Sequence, residues 1–155
     1  MVDIYYADTS ALLKRYVQEV GSPWLIALIA PEQHPLVVTS KLTAVETTSA
    51  FARRRREGTI TDIIYGEVNQ AFLDDCRTHY QLVDVDDSII ALARELLDRH
   101  PLRAYDAMHL ATALIVNQFC VDTYQRSLTF LSADDRLNAA ASAEGLAVDN
   151  PNHHS

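Results

Sequence analysis

An α/β fold built on a mainly parallel sheet is predicted by three observations. Short β-prone runs alternate along the chain with segments of helical periodicity, the pattern of strand–helix–strand units. The 155 residues contain no internal repeat, low-complexity segment or interdomain linker, so a single domain accounts for them. An apolar fraction of 48% against 22% charged residues is that of an ordinary globular chain able to fill a real core.

The first strand, Val2 to Ala7, stops at Asp8, and Thr9 and Ser10 then open a helical pattern over Ala11 to Glu19, with Leu12, Leu13 and Tyr16 on one face. Gly21-Ser22-Pro23 interrupts it; Ser22 is expected as the N-cap and Pro23 as the first helical residue of a short helix, Trp24 to Ile29. Pro31 and Pro35 bracket a loop into a second strand, Leu36 to Thr39. A helix over about Thr43 to Glu57 ends at Gly58, with Arg53 to Arg56 in its last turn, where cations complement the helix dipole. Ile60, Ile63, Ile64, Val68, Ala71, Phe72 and Cys76 then define an amphipathic helix to about Thr78.

Gln81 to Val85 alternates apolar with polar residues and is read as the third strand. Asp86-Asp87-Ser88 caps a helix that carries Ile89, Ala93, Leu96 and Leu97 and stops at His100-Pro101. A small-residue helix, about Arg103 to Gln118, suits close packing on a sheet. Leu128 to Leu131 is the fourth strand, Asp134 to Ala143 a helix with Gly145 as its C′ residue, and Leu146 to Val148 the last strand. Asn150 to Ser155 reads as a polar tail with a frayed His153-His154 pair.

Composition excludes several classes. No apolar run approaches the roughly 18 to 20 residues of a membrane span, and the N-terminus lacks the basic-then-apolar layout of a signal peptide; a soluble, cytoplasmic protein is expected, with no membrane partner. Cys76 and Cys120 show no metal-ligand spacing and are expected as free thiols. The formal charge, 13 − 21 = −8, argues against the broad attraction to nucleic acid of a basic domain, although a cation-binding acidic cluster would contribute to it.

Four acids have both a structural and a chemical reading. Asp8 is a natural helix cap, yet it also stands at the carboxyl end of a strand, where open α/β sheets bind ligands. Glu46 completes a Thr43-x-x-Glu46 capping box, yet flanks the Leu42/Val45/Ser49 stripe expected to face the core. Asp106 lies in a first helical turn, where the dipole favours it. In Ser132-Ala133-Asp134-Asp135 the box Ser132-x-x-Asp135 assigns the cap to Asp135 and leaves Asp134 free. Asp8, Glu46 and Asp134 each follow a predicted strand, so parallel strands would bring them to one sheet edge; Asp106 joins them if its helix leans across that edge. Each carboxylate pair about 4 Å apart repels by roughly 4 kcal/mol at an effective dielectric of 20, and a divalent cation resolves the repulsion. Oxygen ligands favour Mg²⁺ or Mn²⁺ over Zn²⁺.

Taken together, Tyr6-Ala7-Asp8-Thr9-Ser10-Ala11-Leu12, Thr43-Ala44-Val45-Glu46, Leu102-Arg103-Ala104-Tyr105-Asp106-Ala107-Met108-His109-Leu110-Ala111 and Phe130-Leu131-Ser132-Ala133-Asp134-Asp135-Arg136-Leu137 resemble, in order and over nearly the full length, the PIN-domain family, and within it the VapC-like toxin ribonucleases of bacterial toxin–antitoxin pairs. The resemblance implies a three-layer α/β/α sandwich over residues 1–149, followed by the polar tail 150–155. It also implies an acidic pocket for Mg²⁺ or Mn²⁺ in which Asp8, Glu46, Asp106 and Asp134 match the family's acidic positions. Ser10 and Ser132 match hydroxyl positions that help order such a pocket. Asp135 is either a further outer ligand or the cap, with the cap preferred, and His109 is expected to hydrogen-bond within the core rather than to bind metal.

The activity implied is metal-assisted hydrolysis of RNA phosphodiester bonds, leaving 5′-phosphate and 3′-hydroxyl ends. The implied partners are RNA, a cognate VapB-like antitoxin and a second copy in a homodimer. Lys14, Arg15, Lys41 and Arg53 to Arg56 are the candidate RNA contacts, each with a solvated surface charge as the alternative, which is preferred for the Arg run; the apolar stripe of Ile60 to Cys76 is either an interface or, by preference, core. Two other readings remain open: a catalytically silent PIN-type module that binds RNA or protein, and a receiver-type phosphoacceptor domain. The second is disfavoured by a lone Asp8 after the first strand and by an Asp149-Asn150-Pro151 ending where a lysine would be expected.

Overall fold

A computed structural model of the protein describes residues 2–155. Five strands form one all-parallel sheet in the order β3-β2-β1-β4-β5: β1 Ile4–Ala7, β2 Leu36–Ser40, β3 Tyr80–Val83, β4 Thr129–Leu131 and β5 Ala147–Asp149. The helices are α1 Thr9–Leu12, α2 Ser22–Leu28, α3 Leu42–Arg56, α4 Asp62–Thr78, α5 Asp87–Arg99, α6 Ala104–Tyr124 and α7 Asp135–Ala143. Among the described residues no helix is long and apolar enough to cross a membrane.

Strand alternation sorts the core into two layers. On β1, Ile4 and Tyr6 face a cluster with Ile89 and Leu96 of α5, Leu110 of α6 and Leu137 of α7, while Tyr5 and Ala7 face a second cluster with Leu12, Leu25 of α2, Phe51 of α3 and Phe72 of α4. Both faces are therefore covered, as a parallel sheet requires, and the three-layer α/β/α sandwich follows. Tyr6 stacks on Phe130 of the neighbouring β4, with ring centroids 5.6 Å apart and planes 4° from parallel. Burying a side chain of that size contributes roughly 1.5–3 kcal/mol, and Phe130→Ala would cost about 3–5 kcal/mol.

Several local expectations are corrected. The first helix is α1 followed by a 3₁₀ turn over Leu13–Arg15 and does not reach Glu19. The chain turns away because Lys14 is drawn inside, where Nζ donates to the Val20 carbonyl at 2.7 Å and to Glu19 Oε2 at 3.2 Å. Ser22 is not a cap: Gly21 occupies that place with φ +84°, and a Cβ there would stand 2.1 Å from the Pro151 carbonyl oxygen. The Ser22 hydroxyl instead accepts from the Glu19 amide at 2.9 Å.

α6 continues to Tyr124, six residues beyond Gln118. On α4 only Phe72 is fully buried, and Ile63 is 74% exposed, so the stripe is only partly core.

The C-terminal residues are not frayed. Pro151–His153 form a 3₁₀ turn, Asn150 and Pro151 are buried, and the His154 ring stacks on Trp24 with centroids 3.9 Å apart. This end supports the loop after β4: Asn150 Nδ2 donates to Asp135 Oδ1 at 2.7 Å, and the Ser132 amide donates to the Asp149 carbonyl at 3.3 Å.

Candidate active site

All strands run the same way, so the residues that follow β1, β2 and β4 emerge at one edge of the sheet. There Asp8, Glu46, Asp106 and Asp134 line a single cavity of about 780 Å³. α6 brings Asp106 to it within the helix's first turn.

Asp8 both caps α1 and lines the cavity. Its backbone is extended, and its Oδ1 accepts the Ala11 amide of α1 at 3.0 Å and the Ser10 hydroxyl at 2.7 Å. Oδ2 accepts the Ser132 hydroxyl at 2.6 Å. The two serines also accept backbone N–H groups from the β4–α7 loop: Ala133 donates to Ser10 Oγ at 2.9 Å, and Asp134 to Ser132 Oγ at 3.1 Å. Ser10 and Ser132 thus tie Asp8 to the loop that carries Asp134. Burial pushes the Asp8 carboxyl above its ordinary range, outweighing the opposing pull of His109 and these hydrogen bonds.

The capping expectation for the β4–α7 loop is reversed. Asp134, not Asp135, is the N-cap of α7, its Oδ1 accepting the amides of Arg136 at 2.9 Å and Leu137 at 3.4 Å. A one-residue shift in helix start moves the cap, because the Ser132 hydroxyl is already committed to Asp8. Asp135 lies outside the residues lining the cavity, paired with Asn150 and with His153 Nε2 at 3.3 Å. Asp134 caps and still lines the cavity.

Glu46 is not in a capping box. Lys41 is the N-cap residue of α3, without a side-chain bond, and the Thr43 hydroxyl pairs with that of Thr39 at 2.6 Å. Both bonds to Glu46 fall on Oε1, from the Thr9 hydroxyl at 3.0 Å and from His109 Nε2 at 2.7 Å, which leaves Oε2 free of protein donors among the described residues. The Leu42/Val45/Ser49 face, expected in the core, lines the cavity, and Val45 is 72% exposed. A carboxylate can only accept, so Nε2 of the buried His109 ring donates to Glu46, and the Nδ1 on its other side is hydrogen-bonded with the Tyr6 hydroxyl at 2.8 Å.

Asp106, half-buried, is raised by burial first and then by the charges of Asp134 and Asp8. These acids therefore feel one another. Among the described residues, however, no three Asp, Glu, His or Cys side chains are closed into a ready metal-binding group. The donor set is carboxylate and hydroxyl oxygen, with His109 already engaged on both nitrogens, and repulsion between the acids is what a hard divalent cation would relieve; the residues fit Mg²⁺ or Mn²⁺.

Most of the cations expected to hold RNA are committed elsewhere. Lys14 is buried with Glu19, Arg15 Nε bonds Asp75 at 3.0 Å, Lys41 pairs with Asp84, Arg54 with Glu19, and Arg55 lies 3.9 Å over the Tyr65 ring. Only Arg53 of that set lines the cavity, where it is joined by Arg103 and Tyr105, which the sequence reading passed over. The expectation that His109 hydrogen-bonds within the core holds, with Tyr6 and Glu46 as its partners; Tyr6, two residues before Asp8, was not singled out by the sequence.

A parallel α/β/α sandwich with an acidic cavity at its carboxyl edge defines a class, and comparison with known proteins identifies it. Residues 5–142 match the PIN domain, so the chain belongs to the PIN-domain family. Comparison with curated protein sequences finds no match. Among solved structures, similar folds include VapBC2 from Rickettsia felis bound to a DNA fragment from their promoter (14% identity, covering 95% of this chain and 98% of that one, TM-score 0.62). A toxin–antitoxin complex from Klebsiella pneumoniae is alike at 14% identity, 95% and 97% coverage and TM-score 0.63. VapC20 of Mycobacterium tuberculosis, a sarcin–ricin loop cleaving toxin, matches at 19% identity, 92% and 96% coverage and TM-score 0.61. The chain is thus a PIN domain whose fold resembles the VapC toxins.

Proposed function

We propose that this PIN domain is a Mg²⁺- or Mn²⁺-dependent endoribonuclease that acts as a VapC-like toxin and is neutralised by a cognate antitoxin. The observation that carries the reading is the gathering of Asp8, Glu46, Asp106 and Asp134 around one cavity, with Glu46 held by a single oxygen. Asp8, Asp106 and Asp134, with Glu46 at their side, would hold the ion. When bound, it supplies charge neutralisation at the scissile phosphate and acidifies water there.

The chain's own groups do the rest. Glu46 Oε2 takes a proton from the attacking water, while Thr9 and His109 fix the carboxylate through Oε1. Water adds to phosphorus, the bond from phosphorus to the 3′-oxygen breaks, and that oxygen takes a proton from solvent water and leaves as a hydroxyl, with the phosphate remaining on the 5′ end of the downstream fragment. Ser10 and Ser132 keep the Asp8 oxygens in place. The proposal includes self-association as a homodimer and an antitoxin segment covering the acidic cavity; the Rickettsia felis and Klebsiella pneumoniae complexes, whose folds this chain resembles, support a toxin–antitoxin setting.

Water as nucleophile makes the 2′-hydroxyl dispensable. An RNA with one deoxynucleotide at the mapped cleavage site is expected to be cut there as the all-ribo strand is, giving a 5′-phosphate. Loss of cleavage, or a 2′,3′-cyclic phosphate product from the all-ribo strand, would overturn the mechanism.

A further inference from the structure

The acidic cavity carries a feature that its chemistry does not explain. Tyr105 stands beside Asp106 in the first turn of α6, lines the cavity and is 60% exposed. Arg53, near the end of α3, and Arg103, just before α6, line it as well. Among the described residues neither arginine has a carboxylate within 4.0 Å, in a chain with 21 acids against 13 Lys and Arg.

An exposed aromatic ring and two cations without carboxylate partners share one cavity with four acids, a mixed surface. The acids repel a phosphate backbone, so without a bound cation the attraction must come from the arginines. A ring face takes an unstacked base, whereas a duplex keeps its bases stacked on one another.

We propose that Tyr105 is a stacking platform for one unpaired nucleotide next to the scissile phosphate, with Arg53 and Arg103 holding the flanking phosphates. The ring adds affinity only where a base can leave its stack, so its contribution is absent on a duplex. This rests on the nuclease reading given above and names a base-contacting residue of the same site. Leu42 and Val45 add apolar surface to the cavity, and its volume of about 780 Å³ suits a ligand of nucleotide size.

The test is fluorescence anisotropy with a labelled, mixed-sequence single-stranded RNA of twelve nucleotides and its duplex, in EDTA so that binding is read without cleavage. Tyr105→Ala is expected to weaken single-strand binding about 10-fold and leave the salt slope unchanged, while Tyr105→Phe binds as the unchanged protein does. Arg53→Ala and Arg103→Ala should each reduce the slope of log affinity against log salt by about 0.7. Duplex binding should be indifferent to Tyr105→Ala. Single-strand affinity within twofold of the unchanged protein in Tyr105→Ala, or equal losses for strand and duplex, would overturn the subsite. Failure of the unchanged protein to bind the single strand would overturn the subsite, whereas failure to cleave RNA in Mg²⁺ would count against the nuclease reading on which it rests. Tyr105 is exposed, so thermal melts of its variants should match that of the unchanged protein.

Discussion

His109 Nε2 donates to Glu46 Oε1 at 2.7 Å, and the far side of the same buried ring is held by Tyr6 at 2.8 Å. Tyr6 of β1, His109 of α6 and Glu46 of α3, an acid of the cavity, are thereby joined in one chain of hydrogen bonds. Glu46 is aimed by the core of the domain.

That chain can be separated from the charge of Glu46. In Glu46→Gln the amide oxygen still accepts from Thr9 and His109, so stability by urea unfolding should stay within about 0.5 kcal/mol. RNA cleavage should fall about 10²- to 10⁴-fold, the usual loss of a general base. A large loss of stability with cleavage retained would return Glu46 to a structural role.

Ser132 serves two partners, donating to Asp8 Oδ2 and accepting the Asp134 amide. Ser132→Ala leaves a buried carboxylate oxygen without its donor, at a cost of about 1.5–3 kcal/mol, the range for hydrogen bonds to charged groups. Chemical denaturation measures it. A neutral result would mean that the Asp8 carboxylate does not depend on this contact.

The raised carboxyl of Asp106 sets a sign for pH dependence. Its folded pKa lies above the unfolded value, owing to burial and then to Asp134 and Asp8, so the folded state holds the proton longer. Its contribution to stability in EDTA is present at acid pH and is lost as pH rises through the folded value. Asp106→Asn should therefore melt higher than the unchanged protein in EDTA at neutral pH, and the difference should shrink as pH falls toward the ordinary carboxylate range. A divalent ion at a hundredfold excess over its Kd adds about 2.7 kcal/mol to the unchanged protein, and much less to Asp106→Asn. Thermal melts with and without Mg²⁺ read both effects.

The fold was legible because periodicity survives burial: five strands and the helices between them lie within a few residues of where the pattern puts them, apart from the ends of the first helix and of α6. Capping was less so. Thr43-x-x-Glu46 and Ser132-x-x-Asp135 both have box spacing, yet Thr43 turns to Thr39 and Ser132 to Asp8, partners more than a hundred residues away in the second case. Local pattern cannot see such competitors. Face assignment failed on α3 for a related reason: Val45 belongs to an apolar stripe, but that stripe borders the cavity and not the core. The Arg53 to Arg56 run, read by preference as a helix end and otherwise as an RNA contact, is dispersed around its helix, so that Arg54 and Arg55 find acid or aromatic partners while Arg53 faces the cavity.

The central claim, that Asp8 and its companions form a metal-dependent nuclease site, is tested most directly by incubating a mixed RNA pool with the purified protein in three arms: Mg²⁺, EDTA, and Mg²⁺ with Asp8→Asn. Cleavage in the first arm and its loss in the other two is the result expected. Equal cleavage in all three would contradict it.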